Sequence, residues 1–202
     1  MDAKRHRSRA QGVRRQIAIA ALIWIVAANG CKENRLVQRS RAELLLSEIK
    51  LRGAGPVSRR IDSDEDFGRT VMDGIASGDS AWLDVAAALQ PPSAAAEASL
   101  AIALASALTH APNRVLTLLG TKYPTEEVCG MPFLKADSAQ VINYHDEAVR
   151  AVESDTTRRF ASVVAACRTA LDSARSRRLE RIDPAYVIKN KPAPVSRRSR
   201  RK

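Results

Sequence analysis

Cysteine and histidine are the residue types in this chain whose side chains most readily take part in chemistry. The chain has three histidines, and its three cysteines are Cys31, Cys129 and Cys167. No CxxC pair and no Cys/His spacing typical of zinc sites occurs. His145 is followed directly by the carboxylates Asp146 and Glu147. Because adjacent residues of a helix point in different directions, we predict a structural or surface role for His145 and not a metal or proton-transfer site.

Motifs of known catalytic and nucleotide-binding sites are missing from the sequence. There is no GxSxG, no HExxH and no P-loop. One acidic cluster comprises Asp62, Asp64, Glu65 and Asp66. It lacks the central glycine and the final glutamate of a calcium loop, and the helix dipole favours carboxylates at a helix N-terminus. We therefore expect helix capping at the cluster, no metal, no cofactor and no enzymatic activity.

Cys31 follows a segment with the features of an export signal. Six Lys/Arg residues precede an uninterrupted apolar run over residues 17–28. Twelve residues of helix extend about 18 Å, which is too short for a hydrocarbon core of about 30 Å. The pattern predicts a signal peptide or membrane anchor in residues 1–30, with cleavage after Ala28. Alternatively, Ala-Asn-Gly-Cys at 28–31 is similar to a lipobox, which predicts lipidation of Cys31.

Export would place the other two cysteines in an oxidising compartment. If Cys31 is lipidated, Cys129 and Cys167 form an even pair, which would close into a disulfide in the periplasm. If the protein remains in the cytoplasm, we expect two inert buried thiols instead.

The charge of the chain is concentrated at its two ends. The net charge at pH 7 is +11, of which residues 1–30 carry +5 and residues 175–202 carry +9, whereas residues 31–174 carry −3. A nucleic-acid-binding domain usually has a basic surface, and the central segment does not support one.

The C-terminal segment 175–202 is predicted to be a basic tail, of which only residues 175–178 continue the last helix. Its prolines prevent further helix, and the chain ends in the basic residues Arg197, Arg198, Arg200, Arg201 and Lys202. An extended segment of this kind attracts polyanions, which in the cell envelope means anionic lipid or another envelope polyanion. Tyr186 is the one nearby aromatic residue that could stack on bases, which counts against RNA binding. The alternative is a solubilising end without a dedicated target.

Apolar residues recur at helical spacing through most of residues 31–174. The pattern predicts an all-α domain, a compact irregular bundle of about seven helices, with HEAT-like helical pairs as the alternative. We expect Gly53–Pro56 to end the first helix and Ser63 with Asp66 to form a capping box for the next. The Ala- and Leu-rich segment Ala94–Leu108 is expected to be the central helix.

Several short stretches carry a resemblance to known proteins. They are residues 81–86, 105–108, 112, 115–116 and 128–133, together with the late Cys167. Within a span of roughly 67–172 they resemble a family of small exported, helical proteobacterial proteins without an assigned function. The resemblance implies export and a bridge between Cys129 and Cys167, and it implies no catalytic residue.

Two classes of function follow from these patterns. The first is an exported cell-envelope protein, periplasmic or membrane-anchored, with an interaction or structural role and a protein partner; a lipoprotein or an immunity-type inhibitor are narrower versions. The second is a cytoplasmic nucleic-acid-associated protein that uses its basic N- and C-terminal arms. The apolar run favours the first class, because a DNA-binding arm gains nothing from twelve consecutive apolar residues.

Overall fold

The computed structural model describes residues 37–132, 137–154 and 158–182. Within these residues it contains nine α-helices, one short 3-10 helix and no β-strand. The predicted all-α bundle is therefore confirmed. The segment 1–30, predicted to be a signal peptide or anchor, lies outside the described residues, as do Cys31 and the basic residues 197–202.

The helices follow one another with short connections. The first, α1, is described over residues 37–52. The others are α2 Ala54–Ser63, α3 Glu65–Ala76, α4 Ser80–Ala88, α5 Ala94–Leu108, α6 Pro112–Leu118, α7 Thr125–Cys129, α8 Ser138–Glu153 and α9 Ala161–Ile182, with the 3-10 helix Arg158–Phe160 before α9. None of the helices in the described part of the chain is both long and apolar enough to cross a bilayer.

The chain divides into two compact units, residues 1–44 and residues 45–202. In the first unit the described part is residues 37–44, which are helical. The second unit holds the disulfide and the side-chain clusters that follow.

Helix α2 was not predicted from the sequence. Gly53 ends α1 as expected, with a left-handed φ of +81°, but the chain then enters a new helix at Ala54 instead of a loop. Pro56 fits the first turn because backbone N–H groups there have no partner within the helix. Val57 and Ile61 lie one turn apart and are buried, so packing stabilises a segment whose local residues favour a turn.

Polar side chains cap the helices that follow. Asp64 caps α3, since its Oδ1 accepts a hydrogen bond from the Phe67 N–H at 3.0 Å. The expected capping box of Ser63 and Asp66 is wrong by one residue, because Ser63 still belongs to α2. Capping is nonetheless confirmed for Asp64 of the acidic cluster, and Arg69 pairs with the first-turn carboxylates of α3.

Helix α5 is the central helix, as its composition predicted. It contacts α3, α6, α7 and α8. Its buried residues lie on nearly all sides and are Ala96, Leu100, Ala101, Ala103, Leu104, Ala105, Ala107 and Leu108. The small alanine side chains allow neighbouring helices to pack closely around this axis.

Helices α3 and α4 approach each other closely at Gly74. Trp82 in α4 is almost fully buried and lies flat against the backbone of Gly74 in α3. A Cβ atom at position 74 would lie 2.4 Å from two carbons of the indole ring. Gly74 is therefore required by packing and not by a special backbone conformation.

The C-terminal end of α4 is completed by side chains from the 122–123 loop. The Tyr123 hydroxyl donates a hydrogen bond of 2.6 Å to the Ala86 carbonyl, and the Lys122 ammonium donates to the Ala87 carbonyl. Both carbonyls belong to the last turn, where helical partners are missing. Burial raises the pKa of the Tyr123 phenol, which therefore stays protonated and remains a donor.

Candidate functional site

The two cysteines of the described region are joined by a disulfide. Cys129 ends the five-residue helix α7, and Cys167 lies in the second turn of α9. Their Cα atoms are 5.2 Å apart and neither residue is exposed to solvent. The predicted pairing is confirmed. Since a helix of five residues is not stable by itself, the bond to α9 holds α7 in place.

His145 is the buried centre of a polar cluster between α8 and α9, whose other members are partly exposed. Its side chain is 8% exposed. The Nδ1 atom lies 2.9 Å from Oδ1 of Asp146, and the Nε2 atom lies 2.8 Å from Oδ1 of Asp172 in α9. Ionised carboxylates only accept hydrogen bonds, so each contact is a hydrogen bond when the ring nitrogen that faces the carboxylate carries a proton.

Arg175 adds a positive charge to this cluster. Its Nη1 lies 3.4 Å from His145 Nδ1 and 3.8 Å from Asp146 Oδ1. Nδ1 cannot donate to Asp146 and also accept from Arg175, and the shorter contact with Asp146 is the hydrogen bond. Arg175 therefore acts as a counter-charge to Asp146, so that His145 and Arg175 both contact carboxylates at the α8–α9 contact.

The arrangement fixes two helices to each other and leaves no free base. Both ring nitrogens of His145 are occupied by carboxylates, so neither is available to take a proton from a bound molecule. The structure differs from the sequence prediction in one respect, because the neighbouring Asp146 does reach the imidazole. Sequence reasoning missed Asp172 and Arg175; the signal was their polar i,i+3 spacing beside the buried Leu171 and Ala174.

Through Asp146, the cluster makes the free energy of unfolding depend on pH in the acidic range. The hydrogen bond from His145 lowers the pKa of this carboxyl below its usual 3.8, Arg175 and Arg150 lower it further, and desolvation opposes them. A carboxyl with a lower pKa in the folded chain stabilises the fold above the unfolded-state value, and this contribution disappears as pH falls through the folded value. We expect Asp146→Asn to be less stable than the wild type at neutral pH, with a difference that shrinks as pH falls below 3.8 and disappears only below the lowered pKa of the folded chain.

Urea unfolding midpoints of both proteins across acidic pH measure this effect. Glu147→Gln is the matched control, because it removes the exposed carboxylate next in sequence. Wild-type and Asp146→Asn curves that stay parallel down to the most acidic pH would show that Asp146 has no such role.

An open groove of about 600 Å³ lies between α2, α3 and α5. Its floor is apolar and is formed by Ile61, Met72, Ala96 and Ile102. Charged residues at its rim already have partners: Asp62 accepts from the Ser93 hydroxyl at 2.9 Å, and Glu65 pairs with Arg69 at 2.7 Å. The groove therefore offers space for apolar side chains of a bound molecule, with a polar edge.

Among the residues that the structure describes, no group of three or more His, Cys, Asp or Glu side chains is arranged so that it could hold a metal ion. No family model, curated protein or solved structure matches this chain. The geometry of its own residues is thus the basis for a functional proposal.

The last two turns of α9 carry a concentration of positive charge. Four arginines, Arg175, Arg177, Arg178 and Arg181, stand against the single carboxylate Glu180. Helix α9 is anchored up to this point, because Ala174 and Leu179 are buried. The first eight residues of segment 175–202 are therefore helical, beyond the four expected from the sequence, and Leu179 among them is buried.

Proposed function

We propose that this protein is exported and acts in the cell envelope by binding, without enzymatic activity. The observation that supports the proposal most strongly is the disulfide between Cys129 and Cys167. Disulfides persist in oxidising compartments such as the periplasm and are rare in the cytosol. Because both cysteines are fully buried, the bond is a part of the core and not a surface redox pair.

The N-terminal sequence supplies the route. Six basic residues followed by the apolar run 17–28 are typical of an export signal. Cleavage after Ala28 would release a periplasmic protein, whereas lipidation of Cys31 would leave the chain anchored in the membrane. In both cases the helical unit ends in the same compartment.

Binding is favoured over catalysis by the two sites that the fold forms. The imidazole of His145 lies between Asp146 and Asp172, which suits a structural contact between α8 and α9. The α2–α3–α5 groove has an apolar floor suited to side chains of a protein partner. The basic C-terminal residues add affinity for anionic lipid or another envelope polyanion. An immunity-type inhibitor is one form of such a protein.

Cell fractionation with intact-mass measurement tests the proposal. We expect the envelope fraction to contain a chain that lacks its first 28 residues, or one that lacks 30 residues and carries acyl groups on Cys31. Without reductant the mass should be about 2 Da below that of the dithiol, because forming the disulfide removes two hydrogen atoms. Ile23→Arg places a charge in the apolar run and should retain the protein in the cytosol.

A control variant separates the two routes. Cys31→Ser should leave the mass unchanged, apart from the substitution, if cleavage follows Ala28, and should abolish acylation if Cys31 is the lipidated residue. A full-length wild-type chain in the cytosol with free Cys129 and Cys167 would contradict export. That result would favour the alternative function, a nucleic-acid-associated protein with two basic arms.

A further inference from the structure

We propose that the C-terminal end of α9 is a binding surface for anionic phospholipid membranes, with Arg177 and Arg181 as the residues that contact lipid phosphates. The inference deepens the proposed function and rests on it, because an exported protein meets the headgroups of envelope membranes. It concerns the folded unit itself and is separate from the basic residues 197–202.

The two arginines are positioned for contact with a surface outside the protein. Arg177 and Arg181 are one helical turn apart, so their side chains leave α9 on the same side. Both are exposed, and neither forms an ion pair with any other residue that the structure describes. Arg175, by contrast, already faces Asp146, and Arg178 is half-buried.

The helix holds these charges in a fixed arrangement. Leu179 lies between the two arginines in sequence and is 3% exposed, so the last turns of α9 are packed on one side while the arginines remain on the other. A packed helix loses less conformational entropy on binding than an extended tail does. The apolar Ile182, 44% exposed, follows Arg181 and is available to the interface between headgroups and acyl chains.

Charge crowding at this end indicates that an anion is the natural partner. Residues 175–182 have a net charge of +3. Burial lowers the pKa of Arg178, and the positive charge of Arg181 lowers it further. The helix dipole favours basic residues at this end, but it does not remove the mutual repulsion of neighbouring guanidinium groups. Phosphate groups would remove it, and the guanidinium fork matches their geometry.

A lipid surface fits better than a compact acidic site. The exposed apolar residue beside the arginines and the further five basic residues at 197–202 suit a surface with many phosphates and an apolar layer below. Each basic residue near an anionic membrane contributes about 1 kcal/mol, so the loss of two should weaken binding about 30-fold.

The test compares vesicles of phosphatidylcholine alone with vesicles that also contain phosphatidylglycerol, at low and at high salt. The protein is isolated from cells in the processed form in which it occurs. We expect Arg177→Gln/Arg181→Gln to bind the anionic vesicles about 30-fold more weakly at low salt, and the difference to disappear at high salt. Arg177→Lys/Arg181→Lys keeps the charge and should retain most of the binding.

A matched control changes the net charge by the same amount elsewhere. Arg52→Gln/Arg59→Gln removes two exposed arginines from α1 and α2. It should weaken vesicle binding much less than the α9 pair does. All changed positions are exposed, so we expect every variant to fold as the wild type does. Circular dichroism and thermal midpoints check that the helical unit is intact.

Deletion of residues 192–202 separates α9 from the end of the chain. We expect the α9 double variant to weaken vesicle binding further in this shorter protein. If the deletion abolishes binding and Arg177→Gln/Arg181→Gln binds as the wild type does, the proposed α9 surface is wrong. Export is not affected by that result, because the mass experiment tests it separately. Equal losses of vesicle binding in the α9 and control variants would also overturn the proposal. It would likewise be overturned if Arg177→Gln/Arg181→Gln weakened binding to duplex DNA but not to vesicles.

Discussion

Removal of the disulfide by Cys129→Ser/Cys167→Ser should lower the free energy of unfolding by about 4 kcal/mol. The two cysteines are 38 residues apart, and a cross-link over that separation restricts the unfolded chain. The effect is larger than that of most single contacts because it acts on every unfolded conformation. Denaturation by urea under non-reducing conditions, compared with the wild type, measures it.

The single variants identify the mechanism of this loss. Cys129→Ser, Cys167→Ser and the double variant each remove the same bond, so the three losses should be nearly equal. Reductant should lower the stability of the wild type towards that of the variants and leave the variants unchanged. Losses in the two single variants that add up in the double variant would instead indicate two independent buried thiols.

Gly74→Ala should lower the free energy of unfolding by about 3 kcal/mol. The new Cβ would lie 2.4 Å from the Trp82 indole, which is 2% exposed and has little room to move. The loss occurs although alanine is intrinsically better than glycine in a helix by about 1 kcal/mol. Thermal and urea unfolding of the variant measure the net effect.

Gly55→Ala is the matched control for this substitution. Gly55 is also helical, but the nearest atom to its Cβ would be the flexible Nη1 of Arg59 at 3.5 Å. This variant should therefore be neutral or more stable by about 0.5–1 kcal/mol. Trp82→Leu leaves more room beside position 74. In a protein that already carries Trp82→Leu, the added Gly74→Ala should therefore lower the free energy of unfolding by less than it does in the wild type. A Gly74→Ala protein as stable as the wild type would show that the α3–α4 contact is looser than described.

The helices that were predicted correctly have local signals. Asp79 and Ser93 accept hydrogen bonds from the first turns of α4 and α5, and the bounds of α5, Ala94–Leu108, were expected from the sequence. Helix α5 was identified as central because its sequence is apolar on nearly all sides. The pairing of Cys129 with Cys167 was expected from cysteine parity and from the resemblance of the sequence.

The features that were missed depend on contacts distant in sequence. Helix α2 begins in Gly-Ala-Gly-Pro, which locally indicates a turn, and burial of Val57 and Ile61 decides otherwise. Asp172 reaches His145 from 27 positions away, so nothing near His145 indicates it. The groove is likewise formed by three helices, and its shape follows from packing that no single segment encodes.

The covalent bond between α7 and α9 also determines how the chain would respond to a protease. Helix α8 lies wholly within the closed ring of backbone that runs from Cys129 to Cys167. A single cut inside this ring produces a nicked molecule whose two pieces remain joined through sulfur. The contacts of His145 with Asp172 and Arg175 then link α8 to a part of α9 beyond the ring, so the nicked chain keeps a non-covalent connection across the cut as well. Such a molecule would lose the continuity of its backbone at one point and keep all of its residues.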